Sequence, residues 1–246
     1  RRRRRSREIV GRHQGHGSDQ FADLSGLRSD VGFLLLALLL VVDVAVVALH
    51  LAHVLFGVPG GKAFDLGVDR SFGEFAMYIK LGWISILAAM LASRRRSPVF
   101  AAVAMCSLVL LVEDAFILHE RVGQGLAAAV VAAFPSLEGV GILSIQVGEL
   151  IWLAAVAAVL LIVLLVAYRH AVPEDRRDAR SILLFFAVVG VLAIVVDSIH
   201  SVFAFGSLGD VVFTVLEDGG EMLALTPAVA LTFALVVRER VLVSAE

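Results

Sequence analysis

An all-α integral membrane protein with six transmembrane helices is the fold class this sequence predicts, and three observations carry the prediction. Hydrophobic residues make up 59% of the chain and the mean hydropathy is +0.92, well above the apolar share of about 45–50% found in soluble domains. Six stretches stay apolar over roughly the 20 residues that a helix needs to cross a bilayer core. Basic residues cluster in alternate connections between those stretches, as successive crossings require.

Taken in order, residues 1–30 open with five arginines and continue with Gly, His, Ser and Asp. They are expected to form a basic, flexible cytoplasmic arm, too charged and too far from a small-residue cleavage site for a signal peptide. A single transmembrane domain is expected over 31–240. Its spans are Val31–Phe56, Phe75–Ala92, Pro98–Leu118, Ile142–Tyr168, Ser181–Phe205 and Val211–Val237. Between the third and fourth spans, Leu126–Phe134 is apolar but too short to cross, and Pro135 ends it; a short interfacial helix or re-entrant segment is expected there. Cys106 is the single cysteine, so no intramolecular disulfide can form.

Orientation follows from the charges. Of the 21 lysines and arginines, 17 fall in the arm, the second-to-third loop, the fourth-to-fifth loop and the tail. Only Lys62, Arg70, Lys80 and Arg121 fall on the other side, which places both the N- and C-termini in the cytoplasm. The expected location is the cytoplasmic membrane of a bacterium, with the working face on the non-cytoplasmic side. Nucleic-acid binding is not expected, because the arginines flank membrane spans without interleaved aromatics.

The acids sort the opposite way: 14 of the 23 lie in the non-cytoplasmic half, together with His50, His53, His119 and His200. Subtracting the four basic residues leaves about ten negative charges if all were ionised. A charge inside the hydrocarbon region costs several kcal/mol. A bound cation, shared protons or a water-filled cavity must offset it.

Helical periodicity tests whether these groups converge. On helix six, Asp210, Thr214, Glu217 and Glu221 share one stripe, with Asp218 beside it; on helix five, Asp197 and His200 stand at i and i+3. Helix four offers Gln146 and Glu149, and helix one offers Asp43 and His50 a heptad apart with His53 nearby. Glu113 and Glu120 align on helix three with Asp114 to one side, and His119 joins only where the helix end unwinds. Trp83 and Trp152 read as packing residues.

Glu113, His119, Glu149, Asp197, His200, Glu217 and Glu221 are therefore the candidate metal ligands, with Asp43, His50, His53 and Asp114 as secondary candidates. The set resembles, in ligand inventory, the dinuclear carboxylate sites built inside four-helix bundles, where glutamates and acid-x-x-His pairs project inward. Carboxylates with imidazoles suit a divalent iron, manganese or zinc ion. The leading expectation is a metal-dependent hydrolase or oxidoreductase acting on a lipid or small periplasmic molecule, with Asp218 or Glu120 moving protons. A proton- or cation-coupled transporter is the first alternative. A non-catalytic subunit of a membrane complex or homo-oligomer is the second.

Overall fold

The structure, a computed structural model, describes residues 16–134 and 141–243, with side-chain surroundings for 31–134 and 146–239. Helices α1 (His16–Phe56), α2 (Phe72–Arg95), α3 (Pro98–Ala115), α4 (Leu118–Ala133), α5 (Gly141–His170), α6 (Pro173–Val191), α7 (Asp197–His200), α8 (Leu208–Thr214) and α9 (Gly220–Val243) follow one another, and no strand occurs among the described residues. Six helical segments are long and apolar enough to cross a membrane: Val31–Phe56, Phe72–Arg95, Pro98–Ala115, Gln146–His170, Pro173–His200 and Leu208–Glu239. The last two are composite. A π-helical turn over Leu192–Val196 joins α6 to α7, and another over Val215–Gly219 joins α8 to α9.

Local chemistry accounts for most boundaries. Ser71 and Ser207 cap α2 and α8, accepting from the backbone N–H of Glu74 (3.2 Å) and Asp210 (3.1 Å). The fifth span starts at Pro173, eight residues before the expected Ser181, because Pro173 with Glu174 and Asp175 makes a favourable first turn. Arg176, Arg177 and Arg180 thus ride on the helix rather than in a loop. The same span ends at His200 instead of Phe205, in a turn closed by Gly206 at φ 75°.

The third span departs furthest from expectation. It stops at Ala115, and Ile117 sits in the left-handed region at φ 52°, rare for a β-branched residue. The following helix, α4, starts at Leu118 rather than Leu126, so His119 and Glu120 belong to it and not to the stripe of Glu113. Pro135 lies outside the described residues. Likewise α1 starts at His16, inside the segment expected to be a flexible arm; residues 1–15 lie outside the described residues.

α9 is the central helix, packed against α1, α2 and α6, while α3 packs on α2 and α5. Ile84, Leu91, Phe100, Ile182, Met222, Leu225 and Val229 fill the core between them. The first and fourth spans turn apolar faces outward, as suits helices bordered by lipid. α4 lies tightly on α5: a Cβ on Gly148 would fall 2.1 Å from the Gly123 carbonyl oxygen, so only glycine permits this approach. At the arginine end Arg95 binds Asp175 (3.0 Å), Asp178 (2.8 Å) and Glu239 (2.7 Å), tying α2, α6 and α9 together.

Candidate functional site

Two histidines organise the end opposite the arginines. His200, on the last turn of the fifth span, lies between two carboxylates of the sixth: its Nδ1 is 2.7 Å from Glu217 Oε2 and its Nε2 is 2.9 Å from Asp210 Oδ1. The second Asp210 oxygen accepts the Gly206 N–H at 2.8 Å, which ties the intervening turn to the same acid. Phe213 lies roughly parallel to the imidazole, with ring centroids 6.2 Å apart.

His119, at the start of α4, turns back toward α3 and meets Glu113, with Nδ1 3.0 Å from Oε2. The left-handed Ile117 makes this turn. The other Glu113 oxygen accepts the indole N–H of Trp152 at 3.0 Å, so Trp152 is a site residue and not the packing residue its sequence context suggested. His119 lies outside the spans, and its pKa is raised to about 9, first because Glu113 accepts its hydrogen bond, with burial opposing and the charges of Glu113, Asp114 and Glu120 assisting. It is a cation at neutral pH.

The two imidazole groups face one pool of acids. Asp197, itself exposed, is within charge–charge range of Glu217, His200 and His119. Glu149, held beside α4 by the Gly123–Gly148 contact, is in range of His119, Glu120 and Asp197. Asp218 and Glu221 are in range of each other, of Glu217, and of Asp114 and Asp197. Glu74 on α2 completes the pool, accepting the Tyr78 hydroxyl at 2.9 Å and the Arg70 backbone N–H. Among the described residues, no lysine or arginine side chain pairs with Asp114, Glu149, Asp197, Asp210, Glu217, Asp218 or Glu221.

The secondary candidates on helix one go elsewhere. Asp43 and Lys80, 0% and 2% exposed, form an ion pair at mid-depth; Thr226 donates to Asp43 at 2.5 Å and Lys80 to the Met222 carbonyl at 2.9 Å. That takes Asp43 out of the ligand pool. His50 accepts the Leu66 backbone N–H at Nδ1 (3.0 Å), 3.4 Å from Asp65, and His53 donates to the Pro59 carbonyl at 2.7 Å. Both therefore hold the 57–71 loop. Leu66 in turn is wedged against Gly73 and near Gly219.

A histidine with a carboxylate on each ring nitrogen has no lone pair free for a metal until one carboxylate leaves. Among the described residues, no group of three or more His, Cys, Asp and Glu side chains is disposed to hold a metal ion. The sequence reading missed Asp210, Glu74, Trp152 and Tyr78 as site residues. Asp210 alone had a signal, its place on the stripe with Glu217.

Comparison with curated proteins finds no match, and comparison with solved structures finds none either. Residues 31–237, the six spans together, match the family described as a domain of unknown function (DUF8692), and the chain belongs to that family.

Proposed function

We propose that this protein is a proton-coupled membrane protein of the carrier class, taking protons, or a small cation in exchange for them, from the non-cytoplasmic side into the carboxylate–histidine cluster. The observation that carries the proposal is His200 bridging Glu217 and Asp210 within a pool of acids that, among the described residues, has no paired lysine or arginine. Such a pool is tolerable in hydrocarbon where protons, cations or water offset its charge, and an imidazole between two carboxylates can pass a proton from one to the other. The positive-inside rule supports the non-cytoplasmic side. A carrier is preferred to a channel because the polar column ends at Asp43, Lys80 and Thr226. From Thr226 to Glu239, about 20 Å of helix, the buried residues of α9 are apolar except Thr232, whose hydroxyl is turned onto the Ala228 carbonyl at 2.7 Å.

The second reading is the metal-dependent hydrolase or oxidoreductase. It is favoured by the donor set itself, in which Glu113, His119, Glu149, Asp197, His200, Glu217 and Glu221 supply oxygen and imidazole from five helical segments at one end. Iron, manganese or zinc fits that set by ligand type, once His200 exchanges one carboxylate for the ion. The substrate would be a lipid or small periplasmic molecule, with Asp218 or Glu120 handling protons.

One experiment separates the readings. Proteoliposomes holding a pH-sensitive dye are subjected to an imposed pH gradient and to gradients of sodium or potassium, with the wild type compared to Glu217→Gln and Asp210→Asn, and the detergent-purified protein is analysed for bound elements. Gradient-driven proton movement lost in both variants supports the carrier. A stoichiometric transition metal that disappears in Glu217→Gln, without proton movement in the wild type, transfers the site to the metal reading.

A further inference from the structure

The arginine end holds a feature unrelated to the acidic cluster. Between the fifth and sixth spans a groove of about 390 Å³ is lined by Arg177, Asp178 and Ser181 of α6 and by Leu231, Leu235 and Arg238 of α9, with Ala234 in its floor. The volume falls within the roughly 300–1,000 Å³ of small-molecule sites. Its chemistry is graded along the helix axes. Arg177 and Arg238 stand at the helix ends, Ser181 lies one turn deeper, and Leu231 lies seven residues before Arg238, about 10 Å toward the middle of the span.

The charge of the groove is positive despite Asp178. That carboxylate is already bonded by Arg95 at 2.8 Å and by Arg238 at 2.5 Å. Among the described residues no carboxylate pairs with Arg177, which is exposed, and Arg238 keeps 45% of its side chain exposed. The wider surface agrees, since residues 94–96, 169–180 and 238–239 carry eight arginines against four carboxylates.

We propose that this groove binds an anionic phospholipid of the leaflet on the arginine side, its phosphate held by Arg177, Arg238 and the Ser181 hydroxyl and its first acyl segment lying on Leu231, Ala234 and Leu235. A glycerophospholipid has the same order of groups along the bilayer normal, phosphate above hydrocarbon. Basic pockets between membrane helices bind such headgroups because the guanidinium meets phosphate with paired donors. A soluble phosphate would have no use for the apolar floor.

Native mass spectrometry of the full chain from detergent, titrated with phosphatidylglycerol or with phosphatidylcholine of the same acyl chains, tests the proposal. Phosphatidylglycerol should bind preferentially, and Arg177→Gln should weaken it about fivefold, the effect of one surface basic residue. Arg180→Gln, on the same helix but outside the groove, should weaken it by clearly less than Arg177→Gln does. Leu235→Trp, which fills the apolar floor without changing charge, should also weaken binding. Equal affinity for the two lipids, equal losses in Arg177→Gln and Arg180→Gln, or no effect of Leu235→Trp would each overturn it. A dimer broken by Leu235→Trp with lipid binding intact would assign the groove to a second copy instead.

Discussion

Replacing Lys80 by methionine tests how the interior of this bundle is held together. Asp43 and Lys80 are inaccessible, so neither charge has solvent to fall back on. Lys80→Met removes the bonds to Asp43 and to the Met222 carbonyl, leaving Asp43 with one neutral donor, Thr226. A buried charge stripped of its partner costs about 3–5 kcal/mol, a large share of a typical stability of about 5–15 kcal/mol. The position adds to the cost. Pro227 has no N–H to give the Leu223 carbonyl, and the Lys80 bond to Met222 braces the helix beside that gap.

Asp43→Leu alone should cost a similar amount, since it strands the ammonium. The double variant Asp43→Leu/Lys80→Met replaces both charges with apolar groups of similar size and should return to within about 1 kcal/mol of wild type, because exchanging a whole buried pair is close to neutral. The interaction energy from the cycle is then roughly 5 kcal/mol or more. Unfolding in detergent micelles, followed by circular dichroism with the four proteins side by side, reads it. Additive losses, with the double variant the worst of the set, would show that Asp43 and Lys80 act separately and would refute the ion-pair account.

Three further predictions concern the ends of the bundle. Because the His119 pKa is raised to about 9, its pairing with Glu113 stabilises the fold fully below the unfolded value near 6.5 and is lost as pH rises through 9. Thermal stability should therefore fall between those limits by up to roughly 3 kcal/mol, less after solvent screening, and His119→Gln should flatten that slope. Arg95→Ala strands Asp175 and Glu239, leaves Asp178 with Arg238 alone, and should destabilise by about 3–5 kcal/mol, whereas Arg95→Lys, a point charge unable to reach all three, should fall between it and wild type in the same unfolding assay. Gly148→Ala must push α4 off α5; it should cost about 1–3 kcal/mol as overpacking and weaken the His119 pH dependence, while Gly125→Ala, which meets open space, should do neither.

The six helices long and apolar enough to cross a membrane were legible because hydropathy over 20 residues needs no tertiary information, and the polarity of the ends because arginines and acids segregate along the chain. Boundaries failed where a single residue's backbone decides them: nothing in the composition around Ile117 announces a left-handed β-branched residue. Of the site, the gathering of acids with His119 and His200 at one end was readable, and the choice of partners was not. Asp43 and His50 share a stripe at heptad spacing, yet one meets Lys80 at mid-depth and the other the Leu66 backbone, because the stripe crosses from the bundle interior to the loop. A constant 3.6-residue count also fails on the sixth span. Each π turn inserts one residue, so positions beyond Val215–Gly219 are set back by about 100°, and Glu221 leaves the Asp210 stripe.

The two ends of the molecule neutralise their acids by different means, and the difference bears on function. At the arginine end Asp175, Asp178 and Glu239 meet guanidinium groups, whose charge is permanent. At the other end the one buried lysine is committed to Asp43, and Asp210, Glu217 and Glu113 meet imidazoles, whose charge depends on pH. A purely structural cluster would be served equally well by a permanent cation. His200→Lys makes that substitution: the ammonium can pair with Glu217 and Asp210 but cannot relay a proton between them at neutral pH. The variant should still fold, as unfolding in detergent will show, while proton movement in proteoliposomes should disappear. Proton movement persisting in folded His200→Lys protein would show that the imidazole bridge is scaffolding and that the exchanging groups lie among Asp197, Asp218 and Glu221.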